Sequence, residues 1–171
     1  AVLMAAISHK ASVPQRLAIG ILTVSTTRRL KDDKSGHWMA RRAEREGHQV
    51  VAHHVVPDAA HSIAETLGII IDAHQPHAII VTGGTGITPA DVTIEALRPL
   101  FTKELTAFGP LFAQLSFEQI DSAAIMSRAT AGIVGQTVVF CLPGSLNACK
   151  LACKALIFPE LGHLAKHARG G

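Results

Sequence analysis

The sequence contains no tyrosine, and aromatic residues make up only 4% of it. Proteins that grip single-stranded nucleic acid stack bases on aromatics set among clustered Lys and Arg. This chain offers neither: Lys and Arg exceed Asp and Glu by 16 to 13, and the resulting charge of +3 is dispersed. A small anionic ligand suits that balance better than a nucleic acid. No apolar run reaches the roughly 18 residues that a membrane-spanning helix needs, because Gly, Pro, His or a charge breaks each one. The chain is therefore expected to be soluble, with no membrane partner. The opening stretch "AVLMAAISHKASVPQRL" lacks the basic leader and the hydrophobic length of a secretion signal. Cysteines are few and odd in number: Cys141, Cys149 and Cys153 form no CxxC pair and have no zinc-like spacing to histidine. Reduced, buried thiols in the cytoplasm are expected, with Cys149 and Cys153 one helical turn apart. The ten histidines show no metal-ligand spacing either, and most are expected at the surface.

What is present is a 171-residue chain with 48% hydrophobic residues, enough for one sizeable core and too short for two comfortable domains. A single domain over residues 16–168, preceded by a loose arm over 1–15, is expected. "RLAIGILTVST" is an apolar β-rich run without alternation, as in a strand covered on both faces. "HWMARRAEREGHQ" has helical composition, with Gly47 where a C-terminal cap belongs and Asp33 or Ser35 as N-cap residues. "HQVVAHHVVP" is a second strand, on which the adjacent His53 and His54 point to opposite faces. "DAAHSIAETLGIIIDAHQ" is a helix with Asp58 in its first turn, and "HAIIVTGG" a short buried strand. Strand, helix, strand, helix, strand at this spacing implies right-handed crossovers and a doubly wound α/β fold with a mostly parallel sheet and helices on both faces. Farther on, helix formers dominate "TIEALRPLFTKELTAFGPLFAQLSFEQI", interrupted at Gly109 and Pro110. "QTVVFCLPGS" is the last clear strand, before terminal helices broken near Pro159.

"VTGGTGITPADVTIEAL" places glycines and threonines at the carboxyl end of the third strand, where open α/β sheets bind ligands. Gly83, Gly84 and Gly86 permit close backbone approach, while Thr82, Thr85 and Thr88 offer hydroxyls to an anion. The pattern matches neither GxGxxG nor GxxxxGK[ST], so dinucleotide and P-loop readings both fail. A tight strand-to-helix turn with capping threonines is the competing account. Asp91, five residues after Gly86, would repel a phosphate unless a cation intervenes, and phosphate chemistry uses such a carboxylate to hold Mg²⁺. It could equally cap the next helix. Asp58 follows Pro57 at another strand's carboxyl end, facing the same crevice. In "FCLPGS", Pro143, Gly144 and Ser145 open a helix and can turn backbone amides to that crevice, unless they form a simple turn. Ser127 and Arg128 in "MSRATAG" could touch an anionic ligand or form a solvated turn.

These segments together resemble the MoaB/MogA family of molybdenum-cofactor biosynthesis proteins. "LTVS", "DKSG", "PD", "VTGGTGITPADVTIEAL", "FGPLFAQLSFEQI", "SRATAG" and "LPGS" follow the family's order from Arg16 to about Leu164, and the stretch from Phe108 to "LPGS" looks more like the MoaB branch. The resemblance implies a doubly wound domain that assembles as a homo-oligomer, a trimer or hexamer. It also implies Mg²⁺-dependent adenylylation of molybdopterin by ATP, releasing pyrophosphate, with the product passing to a downstream molybdenum insertion protein. Some MoaB members keep the fold without the transferase activity, and in these the Pro-Asp position is altered; here Asp58 is intact. A non-catalytic molybdopterin-binding or carrier protein is the alternative. On this sequence the loop of Thr82, Gly83, Gly84, Thr85 and Gly86 would hold phosphates, Pro143, Gly144 and Ser145 would border the pterin, and Ser127 is a further contact. Asp58 and Asp91 would coordinate Mg²⁺ and position the reacting phosphates; Asp33, Ser35 and Glu95 also match. Joining two polyanions needs charge neutralisation and alignment, not a covalent nucleophile, and no Ser-His-Asp or Cys-His arrangement is recognisable. Phe101, Phe108, Phe112 and Phe117 could serve either an interface or the core.

Overall fold

A computed structural model describes residues 16–171; the arm expected over 1–15 lies outside the described residues. A six-stranded sheet in the order β2-β1-β3-β6-β5-β4 forms the centre. Its strands are β1 (Ala18–Val24), β2 (Gln49–Val56), β3 (Ala78–Thr82), β4 (Lys103–Glu104), β5 (Thr130–Val134) and β6 (Thr137–Leu142). The pairs β1–β2, β1–β3 and β3–β6 are parallel, and β5 and β4 continue the sheet antiparallel from β6. The buried first and third strands read from their unbroken apolar runs are therefore central parallel strands. Alternate residues of each serve different cores. Ala78 and Ile80 of β3, with Val138 and Phe140 of β6, join one cluster; Ile79 and Val81, with Val139 and Cys141, join the other.

Helices α1 (Lys34–Arg45), α4 (Phe108–Ile120), α5 (Leu146–Ala152) and α6 (Phe158–Ala168) contribute to the first cluster, and α2 (Ala60–His74) and α3 (Thr93–Leu97) cover the second. Asp33 caps α1 by accepting from the Gly36 amide, as the sequence suggested, while Gly47 at φ 89° turns the chain after that helix. Among the described residues no helix is long and apolar enough to cross a membrane. All three cysteines are free and buried. Burial pushes the Cys141 thiol up to about 12 and raises those of Cys149 and Cys153 as well.

Several secondary-structure elements depart from the sequence reading. Gly109 and Pro110 do not interrupt a helix; they lie in the first turn of α4, where a proline's missing N–H leaves no bond unmade. Pro159 does not break the terminal helix. A π-helical segment, Cys153–Ile157, joins α5 to α6 directly ahead of it, so the widened turn precedes the residue that cannot donate. The edge strand β4 and its neighbour β5 went unread, because the first has two residues and the second carries Gly132 where the Phe101 ring lies against the backbone. Of the four phenylalanines, Phe108 and Phe112 are core, Phe101 packs on the second cluster, and Phe117 is 57% exposed.

Candidate active site

The carboxyl ends of β1, β3 and β6 converge on the glycine loop. Gly83 and Gly84 have φ of 97° and 63°, which side-chain-bearing residues rarely adopt. Space is as restrictive as conformation: a Cβ on Gly83 would run into the Val24 carbonyl, and one on Gly84 would lie 2.5 Å from Thr93 Oγ1 and 3.1 Å from Asp58 Oδ1. Loop and helix are tied together, since Thr93 donates its amide to the Gly84 carbonyl at 2.9 Å and its buried hydroxyl to the Gly83 carbonyl at 2.8 Å. Thr82 is fully buried, and its hydroxyl donates to the Pro143 carbonyl at 2.9 Å beside Cys149 Sγ at 3.1 Å. It fastens two loops rather than facing the crevice.

The two carboxylates flank this loop. Asp58 does not begin a helix: α2 starts at Ala60 without a side-chain cap, and Asp58 Oδ2 instead accepts from the amide and hydroxyl of Thr26, both at 2.8 Å. Its Oδ1 makes no hydrogen bond among the described residues and faces Gly84. Asp91 does not cap α3, which has no side-chain cap; its Oδ2 accepts from the amide and hydroxyl of Thr88 at 2.9 and 2.7 Å. The Thr88 hydroxyl is the main cause that holds the Asp91 carboxyl below its usual range; burial opposes it, and the Thr88 and Gly86 amides and the Arg128 charge add to the lowering. Asp91 is thus an anion at neutral pH. Gly86 makes room for it, as a Cβ there would stand 2.7 Å from Asp91 Oδ2.

One cavity of about 320 Å³ is lined by Asp58, Asp91, Gly83 to Gly86, Ser127, Pro143 and Gly144, which the sequence had named. Thr82 is absent from that lining, and so is Ser145, whose hydroxyl caps α5 by accepting from the Ala148 amide at 3.1 Å. Ser25, Arg28 and Met126 also line it and were missed. Arg28 offered a signal, a cation just past the carboxyl end of β1, but a polar connection hides it. In the fold its Nη1 reaches the Gly144 carbonyl at 3.4 Å, to which Ser35 donates at 3.1 Å.

Beneath the crevice lies fully buried Asp33. Its Oδ2 accepts from Thr23 Oγ1 at 2.6 Å and pairs with His53 Nε2 at 2.8 Å, while Oδ1 accepts from the Gly36 amide at 2.9 Å. Burial alone would raise its carboxyl, yet these bonds outweigh burial and hold it below the ordinary 3.8. His53 faces inward and His54 outward, as strand alternation requires.

Two further cavities adjoin the first. One, of about 490 Å³, shares Ser25 and Arg28 with it and adds Arg29, His53 and His54. The other, of about 340 Å³, shares Ser127 and adds Glu95, Arg98 and Arg128. Their electrostatics differ. Arg128 is paired with Glu95 and Arg98 with Glu104 at 3.0 Å, whereas Arg28 and Arg29 form no ion pair among the described residues.

Residues 20–163 match the family model described as a probable molybdopterin binding domain. The molybdenum cofactor biosynthesis protein B of Bacillus subtilis is 45% identical over 162 residues, spanning 94% of this chain and 95% of that protein. A crystal structure of a molybdenum cofactor biosynthesis protein B superposes with a TM-score of 0.89 at 38% identity, covering 94% of this chain and all of that one. The tungsten cofactor synthesizing protein MoaB of Pyrococcus furiosus gives 0.83 at 39% identity, with 91% of this chain and 99% of that chain covered. With its glycine loop, paired aspartates and sheet order set within this likeness, the chain belongs to the MoaB family of molybdenum cofactor biosynthesis proteins.

Proposed function

We propose that this protein is a molybdopterin adenylyltransferase, joining molybdopterin to the adenylyl group of ATP. The observation that carries this reading is the placement of Asp58 and Asp91 against Gly84 and Gly86 of one loop, both lining one cavity. A carboxylate about 4 Å from a phosphate charge opposes it by roughly 4 kcal/mol at an effective dielectric of 20. Two such groups in a phosphate cradle make sense when a cation joins them. The donor set fits Mg²⁺, which favours oxygen ligands and is commonly bound by one or two carboxylates together with substrate phosphates. When bound there, Mg²⁺ neutralises phosphate charge and makes the α-phosphorus more electrophilic.

In this reading the loop amides at Gly83 to Gly86 and Arg28, which forms no ion pair among the described residues, hold phosphate oxygens, while Pro143, Gly144 and Ser127 border the pterin. A terminal phosphate oxygen of molybdopterin forms a bond to the α-phosphorus of ATP. The bond from that phosphorus to the β-bridging oxygen breaks, and pyrophosphate leaves. Asp58 and Asp91, each held by a threonine, keep the reacting phosphates aligned. The nucleotide belongs on the β2 side, where Arg28, Arg29, His53 and His54 line the larger cavity, because the arginines opposite are already neutralised. The same reading includes a homo-oligomer, trimer or hexamer, in the cytoplasm, with Leu111, Phe117, Ile120 and Ile125 as exposed apolar surface, and product delivered to a molybdenum insertion protein.

A non-catalytic molybdopterin carrier is the second reading. It is favoured by the protein partners that Asp58 and Asp91 already possess in Thr26 and Thr88. The deciding experiment incubates the chain with molybdopterin, ATP and Mg²⁺ and detects adenylylated molybdopterin and pyrophosphate against a metal-free control. Asp58→Asn and Asp91→Asn should each lower turnover by about 100-fold or more with molybdopterin binding retained. Binding without product in the parent chain would establish the carrier.

A further inference from the structure

Far from the crevice, α6 carries a second constellation. His163 and His167 are one helical turn apart, their ring centroids 4.6 Å from each other and their Nε2 atoms 2.9 Å apart. With metal–nitrogen bonds of about 2.05 Å, two donors at that separation subtend an angle of about 90° at a shared ion. That is the cis angle of square-planar or tetragonal coordination; a tetrahedral ion would require the nitrogens roughly 0.4 Å farther apart. Glu160 Oε2 stands 3.6 Å from Nδ1 of His163, on the ring edge opposite the proposed ion, where ligating histidines commonly meet a carboxylate that fixes the tautomer. His167 is exposed, so solvent can complete the coordination.

We infer that His163 and His167 form a bidentate site for a divalent transition-metal ion, Cu²⁺ before Ni²⁺ and Zn²⁺. Imidazole nitrogen suits these ions, and their intrinsic order of affinity places Cu²⁺ first. The ion replaces the Nε2–Nε2 hydrogen bond. The ring that carried the Nε2 proton moves it to Nδ1, so both imidazoles remain neutral. The site is remote from Asp58 and Asp91: α6 ends beside Arg169, which reaches the Gln75 carbonyl at 2.6 Å, next to the start of β3. Mg²⁺, which prefers oxygen donors, should not compete there.

The test titrates the untagged full chain with Cu²⁺, by calorimetry and by electron paramagnetic resonance in excess Mg²⁺. One ion bound with hyperfine structure from two nitrogens is expected. His167→Ala, at an exposed position, should weaken binding at least tenfold and remove the two-nitrogen signature, and His163→Gln should do the same. His61→Ala, which alters an exposed histidine on α2, should bind as the parent does. An unchanged affinity or a persistent two-nitrogen signal in His167→Ala overturns the assignment, as does displacement of Cu²⁺ by millimolar Mg²⁺.

Discussion

Thr88 holds Asp91 twice through a single oxygen, its amide donating to Oδ2 at 2.9 Å and its hydroxyl at 2.7 Å. Thr26 treats Asp58 in the same way, from a different strand end. Thr88→Val keeps the amide bond and the side-chain shape but removes the hydroxyl. Fold stability should change by no more than about 1 kcal/mol, since the lost bond is exposed. The Mg²⁺ concentration for half-maximal turnover should rise several-fold. The acid limb of the pH profile should move upward, because that hydroxyl is the largest influence lowering the Asp91 carboxyl. Parent-like Mg²⁺ dependence would count against Asp91 as the carboxylate involved.

Arg29 tests the side proposed for the nucleotide. It lines the cavity next to Arg28 and forms no ion pair among the described residues. Arg29→Glu should raise the KM for ATP about tenfold, equivalent to roughly 1.4 kcal/mol, and leave the KM for molybdopterin unchanged. Added salt should shrink the difference, because Arg29 is exposed. A rise in the molybdopterin KM alone would reverse the assignment of the two substrates.

Gly84 and Gly135 separate steric crowding from backbone strain. Both have positive φ, 63° and 59°, but a Cβ on Gly84 meets Thr93 Oγ1 and Asp58 Oδ1, whereas one on Gly135 meets nothing within 4 Å. Gly135→Ala should lower stability by about 1 kcal/mol through strain alone. Gly84→Ala should lower it by about 2 kcal/mol or more and abolish turnover. Urea midpoints measure both; equal losses would mean that Gly84 is not crowded.

Asp33 makes stability depend on acid. Its folded-state carboxyl lies below the ordinary 3.8, so its contribution is complete above that value and disappears as pH falls through the lower folded value. Asp33→Asn leaves Thr23, His53 and the Gly36 amide with a poorer partner and should lower stability by about 3 kcal/mol at pH 7. The gap between parent and variant should narrow only below pH 3.8. A constant gap from pH 7 to pH 2.5 would show that the charge on Asp33 is not what matters.

The central parallel strands β1, β3 and β6 and the glycine loop were legible because each writes its requirement locally: unbroken apolar runs for strands covered on both faces, glycine where the backbone turns left-handed. The lining positions Asp58, Asp91, Pro143 and Gly144 could be named from their places after strands, and Ser127 from the Ser-Arg pair in "MSRATAG". Arg28 could not, since its partner is the Gly144 carbonyl, 116 residues away. Thr82 and Ser145 were read as ligand contacts because a hydroxyl in a loop looks the same whether it faces a cavity, a neighbouring carbonyl or a helix amide. The bond between His53 and Asp33 spans 20 residues and two elements, and no periodicity encodes it.

The lip of the crevice has a thermodynamic consequence. Pro143 and Gly144 present carbonyls fixed by Thr82, Ser35 and Arg28, donors from three separate parts of the chain. Their conformational freedom is lost when the chain folds, before any ligand arrives. A ligand entering there meets a surface already in place, and its association need not include the entropy of ordering that wall.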